Sequence, residues 1–247
     1  MICALMIGRA GSKGFPKKNI TKIFGKRLCE YSLIAAKKSK HVDKIFVSTD
    51  CAKIKSVSKK YGAVAIHRPK RLRSNKALGE EVFRHGYFEI KKFLGKKSKD
   101  LEYIVLLFAN VATVSNELID KGVNILRKNK KYDSAVSTSV YNMWSPLRAR
   151  KLKKNGTLAP FVPFEIFGNP KTLNCDRDSQ GDVYFADMSV SVVRPKCLEN
   201  MKKGLLPQKW MGNNIAPIKS EAGFDMDYEW QLPLAQYWIK KNIKKNK

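Results

Sequence analysis

The stretch ICALMIGRAGSKGFPKKN, residues 2–19, sets the reading of the whole chain. Its first six residues, Ile2 to Ile7, are apolar without interruption, and Gly8 follows at once. A short run that is apolar at every position and ends on glycine suits a strand buried on both faces that turns abruptly into a loop. Such a strand belongs inside a parallel sheet with helices on either side.

Downstream, the same logic repeats. Residues 28–38 place Leu28, Tyr31, Ser32 and Ala35 at helical spacing, and Lys44–Ser48 reads as a second strand. Helices over 52–61, 80–93 and 116–129 then alternate with strands over 63–66, 103–108 and 134–140. Helices alternating with buried strands imply an α/β fold with a mostly parallel sheet covered on both faces. Between Met143 and Pro170 the pattern gives way to Pro, Gly and aromatic residues, an irregular excursion of the kind that serves function or oligomerisation. A strand over 182–193 resumes the pattern. The spacing predicts a closing helix over 228–241 with Trp230, Leu234 and Tyr237 on one side, and the final IKKNIKKNK reads as a frayed, solvated tail.

The 247 residues suit one large domain, and the 43% hydrophobic content is that of a globular chain. No stretch approaches the ~20 uninterrupted apolar residues of a membrane-spanning helix. The first residues lack the basic region of a secretory signal, which leads to the expectation of a cytoplasmic protein without a membrane partner. Five scattered cysteines without a CxxC pair argue for reduced thiols rather than a disulfide framework or zinc ribbon. The three histidines show no metal-ligand spacing. A net charge of +28 suggests a polyanion partner, but the lysines fall in short clusters along the whole chain, such as Lys37-Lys38 and Lys153-Lys154. Solvated helix faces and loops account for that dispersal, and no specific nucleic-acid binding is expected.

Two motifs carry chemistry. In the loop after the first strand, glycines let the backbone approach a phosphate chain, and Arg9, Lys13 and Lys18 supply charge where a triphosphate would lie. The motif is neither a P-loop, which needs Gly-Lys-Ser/Thr opening a helix, nor GxGxxG. Near the other end stand Asp225 and Asp227. On an extended segment residues two apart share a side, so both carboxylates can face one hard cation such as Mg²⁺. The competing reading makes them the acidic start of the helix that follows.

Taken together, GRAGSKGFPKKN (8–19), IFVSTD (45–50), Arg68-Pro69 with Leu72, QGDVY (180–184) and the Asp225/Asp227 pair resemble the acylneuraminate cytidylyltransferase family over nearly the whole chain. The resemblance implies a nucleotide-diphospho-sugar transferase-like fold and the transfer of CMP from CTP to an acidic sugar. By the same resemblance, Arg9, Gly11, Ser12, Lys13, Lys18, Asn19 and Arg68 would bind the nucleotide. Asp225 and Asp227 would hold Mg²⁺, and Arg9 and Lys13 would join them as the catalytic set. Asn110, Arg177, Gln180 and Tyr184 would meet the sugar, with Arg177 suited to pairing a carboxylate. Residues 141–180 would form a dimerisation and sugar-site arm on a single domain, 1–247, in a homodimer.

One departure stands out. The family's Leu-Gln-Pro-Thr-Ser-Pro-Leu-Arg after the central strand is here Leu107 to Val114, LFANVATV, which changes the side facing the sugar; Asn75 replaces a frequent Asp. Three rivals remain. An Asp-x-Asp glycosyltransferase would carry its acidic pair mid-chain and leaves the first loop unexplained. A catalytically inactive relative would fit the altered 107–114 stretch. A basic nucleic-acid-binding module would show aromatics interleaved with a concentrated basic stripe. Against that last rival, duplex DNA should bind weakly and lose affinity steeply with added salt, as a fluorescence-anisotropy titration would show. Tight, sequence-discriminating binding at physiological salt would restore it.

Overall fold

The computed structural model describes residues 1–12, 14–74, 76–174, 176 and 181–245. In chain order the strands are β1 (Ile2–Gly8), β2 (Lys22–Ile23), β3 (Lys26–Arg27), β4 (Lys44–Thr49), β5 (Val64–His67), β6 (Tyr103–Phe108), β7 (Ser134–Val140), β8 (Arg150–Leu152), β9 (Leu158–Pro160), β10 (Tyr184–Val193) and β11 (Ile215–Lys219). The helices are α1 (Leu28–Lys38), α2 (Ala52–Lys59), α3 (Gly79–Leu94), α4 (Asn116–Lys128), α5 (Pro195–Glu199) and α6 (Leu232–Lys245). None of them is long and apolar enough to cross a membrane.

Seven strands form the main sheet in the order β11-β7-β10-β6-β1-β4-β5. Every residue of β1 is buried, as its apolar run requires. On one side Leu5 pairs in parallel with Phe46 of β4, and on the other with Leu106 of β6. The alternation of a strand sends successive side chains to opposite faces. Ala4 and Met6 join Leu33, Ile54 and Val123 in a core beneath α1, α2 and α4. Cys3, Leu5 and Ile7 join Phe83, Tyr87 and Ile90 of α3 in a second core. The mostly parallel, doubly covered sheet is thus the expected one. Only β10 runs antiparallel to its neighbours in this sheet.

The described residues between β7 and β10 form the irregular excursion. They hold the short β8–β9 hairpin and isolated 3₁₀ turns, and they expose Met143, Trp144, Leu152, Leu158, Phe161 and Ile166.

Three expectations are corrected. The strand Ile215–Lys219 was not foreseen, because Pro217 cannot donate to a ladder. It is tolerated because β11 is the edge strand, parallel to β7. The last helix begins at Leu232, after a 3₁₀ turn at Glu229–Gln231, and runs to Lys245, through much of the supposed frayed tail. Its stripe of Trp230, Leu234 and Tyr237 faces solvent. The packed side carries Ala235 and Ile239, with Leu232 and Trp238, which meet Ile23, Leu28 and Met226 in a third small core.

The buried Phe83 of α3 stacks edge-on against Phe108 at 5.1 Å and Trp210 at 5.4 Å between ring centroids. Phe83→Ala should cost about 3–5 kcal/mol, the usual loss for an aromatic side chain removed from a packed core. Chemical denaturation measures it, and a loss under 1 kcal/mol would show that this face collapses around the deletion.

Candidate active site

The chain leaves β1 for β4 and β5 on one side, then returns to place β6 on the other. At such a switch point the connections diverge and leave a crevice beyond the carboxyl ends of the strands. The cleft found there, of about 240 Å³, is walled by Gly8, Arg9, Gly11, Ser12, Lys18 and Asn19 of the first loop. Arg68 and Ser74, after β5, and Phe108 and Asn110, around the end of β6, complete it.

Neighbouring elements pin the loop. Ala10 N–H donates to Asp50 Oδ1 (3.0 Å) and Arg9 Nη1 to the Ser74 carbonyl (3.3 Å). Asn19 Nδ2 donates to the Arg9 carbonyl (3.0 Å), which fixes its amide and leaves Oδ1 buried without a donor among the described residues. An unpaired buried acceptor in a cleft wall is costly unless a ligand satisfies it. Arg68 is buried and donates from Nη2 to the Ser48 carbonyl (2.7 Å). Burial pulls its guanidinium down to about 10, opposed by Asp50, so it still carries positive charge into the wall at neutral pH.

The C-terminal segment closes the site. A Cβ on Gly14 would stand 2.7 Å from the Asp227 carbonyl oxygen, so only glycine lets the loop pass that close. Lys18 Nζ forms an ion pair with Asp227. Met226 N–H donates to the Asn110 carbonyl (2.8 Å), while Asn110 Nδ2 donates to the Met226 carbonyl (3.2 Å) and to Asp225 Oδ2 (3.4 Å). Burial raises the Asp225 carboxyl above its ordinary value, and the charge of Asp227 raises it further. The two carboxylates therefore feel each other across the segment, with Lys18 as the compensating cation.

The rival capping role goes to another residue. Gln231 Oε1 accepts both the Asp227 N–H (2.7 Å) and the Tyr228 N–H (2.8 Å), so neither aspartate side chain is needed to start the last helix. Among the described residues no group of three or more His, Cys, Asp or Glu could enclose a metal. Two carboxylates do fit Mg²⁺, which commonly takes one or two from the protein and the rest from substrate phosphates and water.

Of the residues expected from sequence, Arg9, Gly11, Ser12, Lys18, Asn19, Arg68 and Asn110 line this cleft, with Asp225 hydrogen-bonded to Asn110 and Asp227 paired with Lys18. Lys13, Arg177 and Gln180 lie outside the described residues, as do Asn75 and Cys175. Tyr184 opens β10 opposite Val140, about half exposed, and is not part of the cleft wall. Asp50, the last residue of the IFVSTD stretch, holds the loop. That role follows from the register of the sheet rather than from local sequence: Gly8 pairs with Thr49, so the residue after Thr49 lies beside the loop.

Comparison with known proteins places this geometry. A family model described as Cytidylyltransferase matches residues 3–159. Over 170 residues the chain is 27% identical to a Helicobacter pylori protein named pseudaminic acid cytidylyltransferase and UDP-2,4-diacetamido-2,4,6-trideoxy-beta-L-altropyranose hydrolase, covering 68% of this chain and 31% of that one. Over 160 residues it is 29% identical to the N-acylneuraminate cytidylyltransferase of Escherichia coli, covering 65% and 36%. The matches thus span about a third of the length of these two relatives. A stretch of 62 residues is 48% identical to the CMP-N,N'-diacetyllegionaminic acid synthase of Campylobacter jejuni, a quarter of each chain. The solved structure of a CMP:2-keto-3-deoxy-manno-octonic acid synthetase complexed with CTP superposes with a TM-score of 0.67 over 98% of this chain and 99% of that one, at 14% identity. A 4-diphosphocytidyl-2C-methyl-D-erythritol synthase from Anaerococcus prevotii gives 0.61 over 97% and 96%, at 12% identity. At those identities the likeness is one of fold.

The raised Asp225 carboxyl has a consequence for stability. Its folded value lies above the unfolded one, so ionising it opposes folding, and the metal-free chain loses stability as pH rises through the interval between them. Metal-free Asp225→Asn should therefore melt at or above the parent at pH 7, with the difference vanishing below the ordinary value of 3.8. Differential scanning calorimetry across pH measures this. A variant that melts well below the parent at pH 7 would make Asp225 a structural residue.

Proposed function

The chain belongs to the cytidylyltransferase family, and from that premise we propose that it transfers CMP from CTP to an acidic 2-keto sugar of the sialic, pseudaminic or legionaminic type, releasing pyrophosphate. One observation carries the reading: the glycine-rich loop and the Asp225/Asp227 segment, at opposite ends of the chain, meet at one cleft through Gly14, Lys18 and Asn110. The names of the relatives motivate the sugar class. An Asp-x-Asp glycosyltransferase would have no use for the first loop, and an inactive relative would have no reason to keep both motifs in register.

In the proposed reaction the anomeric hydroxyl oxygen of the sugar attacks the α-phosphorus of CTP. The bond to the β-phosphate breaks, and the hydroxyl proton passes to solvent or to a carboxylate of the site. Arg9 and Lys18 neutralise the triphosphate, with Lys13 assigned the same part. Gly11 and Ser12 bring backbone and hydroxyl against it, and Arg68 contributes charge from beneath. The buried Asn19 Oδ1 waits for a ligand donor. Asp225 and Asp227 would hold Mg²⁺, which would offset phosphate charge and polarise the reacting phosphorus. Catalysis of this kind is positioning and charge stabilisation, with no covalent nucleophile. Asn110, Arg177, Gln180 and Tyr184 are assigned to the sugar. The exposed apolar side chains of 141–180 suit a second copy of the chain, so the enzyme is proposed to be a homodimer, working in the cytoplasm where CTP is made.

Pyrophosphate release with each of the four nucleoside triphosphates against a panel of nonulosonic acids tests the reading. CTP should support turnover and ATP or GTP should not; equal use of ATP would remove the cytidylyl assignment. Asp227→Asn loses only an exposed ion pair with Lys18, worth about 0–1 kcal/mol. It should keep a near-parental melting temperature without metal yet release little pyrophosphate at saturating CTP and Mg²⁺. Full activity in that variant would remove Asp227 from the metal site.

A further inference from the structure

Strand β10 does not run straight past β7. Its pairing steps from Ala186 opposite Thr138 to Ser191 opposite Val136, so Asp187, Met188, Ser189 and Val190 face Ser137 alone. Met188 adopts a left-handed φ of 60° within this bulge. A bulge re-aims side chains, and a non-glycine residue in left-handed backbone persists only where its surroundings enforce it. Here the break turns a carboxylate onto two serines. Asp187, 4% exposed, accepts from Ser137 Oγ on one oxygen and from Ser139 Oγ on the other (2.7 Å), and Ser189 N–H donates to it as well (3.0 Å).

The carboxylate sets the sense of these bonds, since it can only accept, and the backbone fills the remaining demand of each serine. Ser139 Oγ accepts the Gly223 N–H (2.9 Å), and Ser137 Oγ accepts the Val190 N–H (2.9 Å). Each hydroxyl sends its own proton to Asp187, one to each carboxylate oxygen. A group with two acceptor atoms and no donor satisfies both; an amide at 187 would turn an NH₂ toward one serine and strand its proton.

The far end of the Ser139 bond lies on the segment that carries Asp225, whereas the Ser137 bond ends within β10. Beside the Gly223 N–H on Ser139, Tyr141 donates from its hydroxyl to the Gly223 carbonyl (3.0 Å). Phe224 N–H donates to Thr113 Oγ1 (3.0 Å), which lies 2.9 Å from Ser189 Oγ. A Cβ at position 223 would stand 2.3 Å from Asp187 Oδ2, so the chain passes the carboxylate where only glycine fits.

We infer that Asp187 is a positioning residue for nucleotidyl transfer: through Ser139, and through the Ser189–Thr113 pair, it fixes Gly223 and Phe224 and so sets where Asp225 presents its carboxylate. Asp187 itself touches no reacting group. The inference rests on the reading of Asp225 and Asp227 as Mg²⁺ ligands, and the test separates the two.

Asp187→Asn, the milder Ser139→Ala and the control Asp225→Asn are compared with the parent in two measurements. Hydrogen exchange of the metal-free proteins reads the amides of 223–226, and Mn²⁺ binding followed by electron paramagnetic resonance reads the cation site without turnover. Asp187→Asn and Ser139→Ala should speed exchange at 223–226 by about tenfold or more, while β1 and β6 exchange at parental rates. Cation affinity should fall by about 10–100-fold, the usual effect of removing a group that orients a ligand. Asp225→Asn should keep slow exchange and lose the cation. Parental exchange rates at 223–226 in both the 187 and 139 variants would overturn the inference whatever the activity. Faster exchange with unchanged cation affinity would overturn it too. If the parent binds no Mn²⁺, or binds it equally with asparagine at 225, the metal reading fails first and the inference falls with it, which the exchange data alone would not have brought about.

Discussion

The burial of β1 on both faces and along both edges is the constraint from which the rest of the molecule follows. A strand with α1, α2 and α4 beneath it and α3 above it cannot shift without opening two cores at once. Its carboxyl end is therefore a fixed point, and the loop that begins at Gly8 leaves from a defined place and direction. Because β4 and β6 flank β1 in parallel register, their own carboxyl ends arrive at the same height. Asp50, Asn110 and the loop meet without long-range adjustment.

Electrostatics then decides what such a site can hold. Asp225 is half-buried and repelled by Asp227, an arrangement that costs stability unless a cation offsets it. Lys18 supplies part of that charge, together with Arg9 and the buried Arg68 in the same cleft. A polyphosphate adds further negative charge, which basic side chains on one wall and a divalent cation on the other would balance. The overall charge of +28 says little about this balance, since among the described lysines only Lys18 lines the cleft.

The stretch 107–114 has a use visible only in the folded chain. Asn110 binds the backbone of Met226 and the side chain of Asp225, and Thr113 binds the backbone of Phe224. The segment after β6 thus clamps the acidic segment with groups that lie more than a hundred positions ahead of it in sequence. Asn110 and Thr113 are thus part of the frame for Asp225.

The sequence by itself determined the central sheet, because buried strands and amphipathic helices write their periods directly into the order of apolar residues. It also picked out the loop 8–19, where glycines stand beside cationic residues, and the Asp225/Asp227 pair, which local sequence left equally open to a helix start. It missed the edge strand at 215–219, where a proline hides a pairing that only an edge permits, and it mistook the solvent side of the last helix for its packed side. Tertiary structure alone decided that the two motifs share one cleft and that Asp50 and Asp187 hold the loop and the acidic segment. Those assignments depend on hydrogen bonds between residues dozens to more than a hundred positions apart. Local sequence fixes which groups can donate and accept, but their pairing is set by the register of the sheet and the bulge in β10, which exist only once the chain has folded.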